Sequence, residues 1–116
     1  MREKIRDKGR LEHILNAIAN VIEFTKDATF EDLLNSKLLF YAVVKNIEIV
    51  GEASYKLSKE FITTNNMIDW EAIIGLRHVL VHGYYHINEE RVWKIIQKDL
   101  LPLKEQIQIL YDNELH

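Results

Sequence analysis

Residues that interrupt helices are scarce in this chain, and this scarcity constrains its fold more than any other feature. The 116 residues include only four glycines and one proline. No segment alternates strictly between apolar and polar side chains, as a half-exposed strand would. Apolar residues instead recur at steps of three and four, which places them on one face of an α-helix. The sequence therefore predicts an all-α fold, an up-and-down bundle of four or five helices in one domain spanning residues 1–116.

The first half of the chain is predicted to form two helices. One carries an apolar stripe that begins at Leu11 and ends at Ile22. Thr29 is the expected N-cap of the second, with Asp32 three residues later as its capping-box partner. This second helix is expected to continue to about Phe61, with one buried face and a second apolar strip. The predicted buried face comprises Phe40, Val43, Ile47, Val50, Leu57 and Phe61.

Two further helices are predicted in the second half. Asp69 is the expected cap of the first, which continues to about residue 82, where Gly83 is suited to end it. Asn88 precedes two glutamates and is expected to begin the last helix. Pro102 is expected to kink or restart that helix near Asp99, because proline cannot donate a helical hydrogen bond.

Composition excludes several classes of protein. The chain contains no cysteine, so disulfides and thiolate zinc sites are ruled out. Its formal charge of -3 argues against a protein that coats nucleic acid, although a local cluster of cations could still bind RNA. No apolar run approaches the roughly 20 residues of a membrane span, and the mixed charges at the N-terminus are unlike a signal peptide. We expect a cytoplasmic protein that does not contact membranes.

The segment from Gly75 to Asn88 departs from the pattern of an ordinary bundle. One arginine, three histidines and two tyrosines lie there among aliphatic residues, so some of these polar groups must be partly desolvated. Titratable groups in such surroundings concentrate at functional sites. Histidine can move protons near neutral pH, and arginine can bind two phosphate oxygens at once. The segment therefore combines the groups that a metal-free ribonuclease requires.

Spacing within this segment leaves two arrangements open. Arg77 and Tyr84 are seven residues apart and share a face if the helix continues. Arg77 and His82 are five apart, about 140° around an ideal helix. These two converge only if the helix unwinds at Gly83 or if a second copy of the chain supplies one of them. The spacing slightly favours a site assembled across a two-fold homodimer.

The string Arg77-x-x-x-x-His82-x-Tyr84 resembles the motif of HEPN ribonuclease toxins of the HepT type. The similarity extends from about Leu11 to Leu110 and so covers nearly the whole chain. Four flanking segments add to it: Gly51-Glu-Ala, Trp70, Val92-Trp-Lys-Ile-Ile and Asp99-Leu-Leu-Pro-Leu.

The resemblance implies a dimeric HEPN-like bundle that cleaves RNA without a metal or another cofactor, with Arg77 and His82 as catalytic residues. It also implies an antitoxin partner, a minimal nucleotidyltransferase that silences the toxin by transferring AMP to Tyr84. Two residues have supporting roles. His78 occupies a position that is often asparagine in such proteins, and Glu52 is either a hydrogen-bond partner of the motif arginine or a solvated carboxylate.

Other interpretations of the same residues were weighed. His78, His82 and His86 are spaced by four, as zinc ligands on a helix can be. The expected break at Gly83 separates His86 from the others and no carboxylate is positioned as a further ligand, so no metal site is expected. A non-catalytic helical subunit that docks onto a nucleotidyltransferase, or a stress protein that only dimerises, is the alternative function. The presence of Arg77, His82 and Tyr84 together favours the enzyme.

Overall fold

The computed structural model describes residues 2–78 and 88–114, and all regular secondary structure in those ranges is helical. The all-α prediction is thus confirmed. In chain order the elements are α1 (Arg2–Thr25), α2 (Phe30–Asn35), α3 (Lys37–Tyr55), α4 (Lys59–Thr64), α5 (Trp70–Gly75), a 3-10 turn (Leu76–His78), α6 (Glu89–Lys94), a π-helical turn (Ile95–Asp99) and α7 (Leu100–Glu114). The sequence predictions for His82, Gly83, Tyr84 and His86 concern residues outside the described ranges.

The core forms where α1 packs along α3 and against α7. The face predicted for the central region of the chain is buried. Burial of large aliphatic side chains on all three helices provides the main free energy that holds them together. None of the described helices has the length and apolar surface needed to cross a bilayer. The fully buried aliphatic residues include Leu11, Ile14, Ile18, Val43, Val44, Ile47, Val50, Leu100 and Ile107.

The expectation of one helix from residue 29 to about residue 61 is wrong, because two serines divide it. Ser36 adopts an extended backbone conformation and its side chain accepts a hydrogen bond from the Leu39 N–H, which begins α3. Ser58 likewise caps α4 and accepts from the Phe61 N–H. Serine at an N-cap competes with helix continuation because its hydroxyl replaces a missing backbone acceptor. The three predicted caps Thr29, Asp69 and Asn88 are confirmed.

The α3–α4 corner is held to the first helix by a buried carboxylate. Asp7 of α1 is only 5% exposed and accepts hydrogen bonds from both the backbone N–H of Ser58 (2.8 Å) and its hydroxyl (2.6 Å). Hydrogen bonds to a charged acceptor are stronger than neutral ones. This contact fixes the end of α3, which carries the residues of the candidate site.

The hydrogen-bond register of the last helix changes near Asp99, where Pro102 is predicted to kink or restart that helix. The N–H of Leu100 bonds to the carbonyl of Ile95, five residues back, and this wider turn joins α6 to α7. Pro102 cannot donate to the carbonyl of Lys98 and its ring crowds that turn. A single π-turn accommodates the proline without ending the helical segment that α6 and α7 form. Such turns occur often at functional sites.

Candidate active site

A close crossing of two backbones positions Arg77. Gly51 is buried on α3, directly against the 3-10 turn that contains Leu76 and Arg77. A Cβ atom at Gly51 would lie 2.8 Å from the Leu76 carbonyl carbon, 2.9 Å from the Arg77 Cα, and closer still to the Arg77 nitrogen. Real Cβ atoms do not approach backbone atoms this closely, so only glycine fits. This contact explains why a glycine is tolerated inside a long helix.

The guanidinium of Arg77 stacks on an aromatic ring. Its Cζ lies 3.6 Å from the ring centroid of Tyr55, one turn beyond Gly51 on α3. A cation over the ring face is attracted by the quadrupole of the ring. Arg77 is half-buried, whereas Tyr55 is 55% exposed. The stack therefore holds the guanidinium plane at the protein surface.

His78 contacts the same guanidinium. The Nε of Arg77 donates a hydrogen bond to the Nε2 of His78 at 3.1 Å. To accept this bond, Nε2 must carry no proton. The structure thus places His78 in direct contact with the motif arginine that it is predicted to support.

No described residue occupies the two Nη groups of Arg77. Within residues 2–78 and 88–114, no carboxylate forms an ion pair with Arg77, and its only hydrogen bond is that to His78. Arginine presents five N–H donors in a fixed plane, and stacking and the Nε bond constrain that plane without using the Nη edge. An oxyanion such as a phosphodiester could accept from this edge in bidentate fashion.

Glu52 does not take the role of arginine partner that was one of its two predicted possibilities. Its side chain is exposed, and no hydrogen bond or ion pair joins it to Arg77. It instead lies on the wall of a small cleft of about 230 Å³ that Arg77 also lines, together with Lys45, Glu48 and Ile49. The solvated-carboxylate alternative therefore describes Glu52.

Tyr55 was missed by sequence reasoning, although a signal for it exists. Gly51 and Tyr55 are four residues apart and so share a helix face. Gly51 allows the backbone of the 3-10 turn to approach α3 closely. An aromatic side chain one helical turn further along α3, such as Tyr55, is then well placed to contact that 3-10 turn. His82 and Tyr84, the other predicted site residues, lie outside the described ranges. Within those ranges, no group of three or more histidine and carboxylate side chains is arranged to hold a metal ion.

Comparison with known proteins gives a consistent family. Residues 14–110 match the model of the HepT-like ribonuclease family. A candidate RNase of Methanocaldococcus jannaschii is 36% identical over 103 residues, which are 89% of this chain and 94% of the relative. A candidate RNase of Caldanaerobacter subterraneus subsp. tengcongensis is 36% identical over 104 residues, covering 90% and 93% of the two chains. The probable ribonuclease HepT of Thermococcus cleftensis is 34% identical over 103 residues, covering 89% and 94%. No solved structure matches the chain at a significant level.

Proposed function

The chain belongs to the HepT-like ribonuclease family, and on this premise we propose that it is a metal-independent endoribonuclease in which Arg77 binds the scissile phosphate. The observation that carries the proposal is the stack of Arg77 on Tyr55, in which no described residue hydrogen-bonds to the Nη edge of the guanidinium. A guanidinium held in place before substrate arrives loses little entropy on binding and stabilises the charge that develops in the transition state.

In the proposed reaction the 2′-hydroxyl of RNA attacks the adjacent phosphorus. A bond forms from the 2′-oxygen to phosphorus and the bond to the 5′-oxygen breaks, which gives a 2′,3′-cyclic phosphate and a free 5′-hydroxyl. The imidazole of His82 takes the proton of the attacking hydroxyl, and the leaving 5′-oxygen gains one from solvent. Arg77 neutralises the extra negative charge on phosphorus, and the Tyr84 hydroxyl orients the phosphate.

The test compares the wild-type protein with Arg77→Ala and His82→Ala on a labelled single-stranded RNA, with EDTA present. Loss of one preorganised phosphate donor reduces turnover by about 10²–10³-fold, and loss of an acid–base group by about 10²–10⁴-fold. Arg6→Ala, an exposed arginine on α1, serves as the charge-matched control and should cleave normally. Cleavage that persists in both site variants would contradict the proposal. Loss of wild-type cleavage in EDTA would point to metal chemistry instead.

A homodimer completes the proposed site, and the exposed face of α3 supports one. Along it, a leucine, two tyrosines and three charged residues follow one another at steps of three and four, the spacing of a helix–helix seam. Leu38 is 84% exposed and Tyr41 54% exposed, which is unfavourable for an isolated chain. The seam comprises Leu38, Tyr41, Lys45, Glu48, Glu52 and Tyr55.

This seam is complementary to itself when two copies of α3 run antiparallel. With a two-fold axis between Lys45 and Glu48, Lys45 lies opposite Glu48 of the partner subunit, and Leu38 lies opposite Tyr55 of the partner subunit. The same axis places Tyr41 opposite Glu52 of the partner subunit, where the phenol hydroxyl could donate to the carboxylate. Each pair occurs once on either side of the axis, as an isologous interface requires. The Arg77–Tyr55 stack would lie at each end of the seam, where a cleft shared by both subunits can form.

We also propose that a minimal nucleotidyltransferase antitoxin controls the enzyme by modifying Tyr84, and that both act in the cytoplasm. The tyrosine oxygen would attack the α-phosphate of ATP, forming a phosphodiester and releasing pyrophosphate and the phenolic proton. The attached AMP phosphate could then bind the Nη edge of Arg77 and exclude the substrate.

Intact mass spectrometry after co-expression with the proposed nucleotidyltransferase antitoxin tests this regulation. We expect a mass increase in AMP units that maps to Tyr84 and is absent in Tyr84→Phe. Neutralised toxicity without any mass change would replace covalent modification with simple complex formation. A protein that binds the nucleotidyltransferase but never cleaves RNA would favour the alternative of a non-catalytic docking subunit.

A further inference from the structure

A second cleft lies outside the candidate site, between α5 and the start of α7. It has a volume of about 510 Å³, within the range of about 300–1,000 Å³ typical of ligand pockets. One wall is formed by α5 and the other by α6 and the π-turn, and the start of α7 closes the floor. We call it the α5–α7 groove. Its lining includes the apolar residues Ile68, Ala72, Ile73, Leu76, Ile95, Leu100, Pro102 and Leu103.

Three cations line one wall of the groove. Arg91, Lys94 and Lys98 are all exposed. They follow each other at steps of three and four along α6 and the π-turn. The row extends over about 10 Å, given a rise of about 1.5 Å per residue. Within the described parts of the chain, no carboxylate lies within ion-pair distance of any of them.

Two carboxylates also line the groove, but they do not neutralise all three positive charges. Asp69 is committed to capping α5, where it accepts a hydrogen bond from the Ala72 N–H at 3.2 Å. Asp99 lies at the other end, past Lys98. The groove thus carries an excess positive charge in a chain whose formal net charge is -3. Such a local excess attracts anions that the rest of the surface repels.

The groove and the candidate site meet at one point of the chain. Leu76 lines the groove and immediately precedes Arg77 in the 3-10 turn, whereas Arg77 itself lines the cleft beside α3. The π-turn contributes Ile95, Lys98 and Asp99 to the lining of the groove. The irregular turn that Pro102 imposes on the helix is therefore part of the groove surface.

We propose that the α5–α7 groove binds the single-stranded RNA next to the scissile phosphate. Arg91, Lys94 and Lys98 would bind successive backbone phosphates, while bases and riboses pack on the apolar floor. A positive wall beside an apolar surface suits a single strand, because the strand exposes both its phosphates and its base faces. An acidic peptide would match the cations but would leave the floor uncovered. The proposal rests on the ribonuclease function proposed above, which supplies the substrate.

Binding of a non-cleavable RNA tests the groove separately from catalysis. The probe is a fluorescent single-stranded 2′-O-methyl oligonucleotide, titrated by anisotropy at several salt concentrations. Each phosphate contact to a single strand adds about 0.7 to the salt exponent of binding. The triple variant Arg91→Gln, Lys94→Gln, Lys98→Gln should therefore lower the exponent by about 2 and weaken binding by about 100-fold at 0.1 M salt.

A second triple variant, Arg6→Gln, Lys26→Gln, Lys59→Gln, is the control. It removes the same number of positive charges from exposed positions outside the groove and should change the affinity for RNA far less. Equal losses in the two triple variants, or no loss in the groove variant, would overturn the proposal. A thermal melt of each variant confirms folding. Wild-type protein that binds the probe but does not cleave natural RNA would refute the ribonuclease proposal and leave the groove intact.

A gain of binding gives a second, independent test. Ala72 is exposed on the wall opposite the cations, so Ala72→Lys should add one phosphate contact and tighten binding about fivefold at 0.1 M salt. Ala19→Lys, on the exposed side of α1, is its control. Equal tightening by Ala72→Lys and Ala19→Lys would show that only the net charge of the protein matters. If polyglutamate competes with the probe as effectively as RNA does, the groove would be assigned to an acidic peptide. Either result overturns the proposal.

Discussion

The guanidinium of Arg77 lies over the ring of Tyr55, with 3.6 Å between its Cζ and the ring centroid. The two residues belong to different elements, the 3-10 turn after α5 and the end of α3. Tyr55 and His78 both constrain the guanidinium, and no other described residue bonds to its Nη edge, so the cation is oriented before any ligand arrives. Orientation of this kind is what phosphate recognition in a catalytic site requires.

Tyr55→Leu should weaken RNA cleavage by about two- to fivefold. An exposed cation–π pair contributes about 0.5–1 kcal/mol, and loss of the stack frees the guanidinium without removing it. Tyr55→Phe keeps the ring and should retain nearly full activity. Steady-state cleavage rates of the two variants provide the measurement. Equal loss in both would mean that the hydroxyl, rather than the ring face, is what matters.

Gly51→Ala should destabilise the protein and reduce cleavage together. The added methyl would overlap the backbone at Leu76 and Arg77, and relief of such overpacking costs about 1–3 kcal/mol. Gly9→Ala and Gly75→Ala are matched controls, since a Cβ at either position meets no atom within 4 Å. Each control should hold or raise the melting temperature, because alanine favours helix over glycine by up to about 1 kcal/mol. An unchanged melting temperature for Gly51→Ala would mean that the crossing is looser than described.

His78→Asn should retain most of the cleavage activity, because an asparagine oxygen can accept the hydrogen bond that the Arg77 Nε donates. His78→Ala removes the acceptor and should lower kcat/KM by about tenfold, since a hydrogen bond from a charged donor is lost. Steady-state kcat/KM of the three proteins provides the measurement. Equal values for wild type and His78→Ala would show that this hydrogen bond does not contribute to cleavage.

A charge exchange across the α3 seam tests the proposed dimer. Lys45→Glu should weaken the dimer, because it would face Glu48 of the partner subunit, and Glu48→Lys should do the same with two lysines. The double variant restores opposite charges and should recover dimerisation. Light scattering across micromolar concentrations measures each species. A wild-type monomer, or a double variant no better than the single ones, would exclude this seam.

Much of the helical pattern could be predicted because it depends on residues close in the chain. The caps at Thr29, Asp69 and Asn88 and the restart before Pro102 follow from local hydrogen bonding. The apolar faces follow from periodicity alone. The same local reasoning failed at Ser36 and Ser58, where continuous apolar spacing concealed two N-caps that end one helix and begin the next.

The sequence by itself also determined the chemical character of the site, since Arg77 and His78 are adjacent and the motif is local. Only the tertiary structure decided which surface holds the arginine. Tyr55 and Gly51 are more than 20 residues from Arg77 in the chain, and they meet it because α3 crosses the turn after α5 at one particular position. That crossing results from the packing of whole helix faces, so no short stretch of sequence contains it.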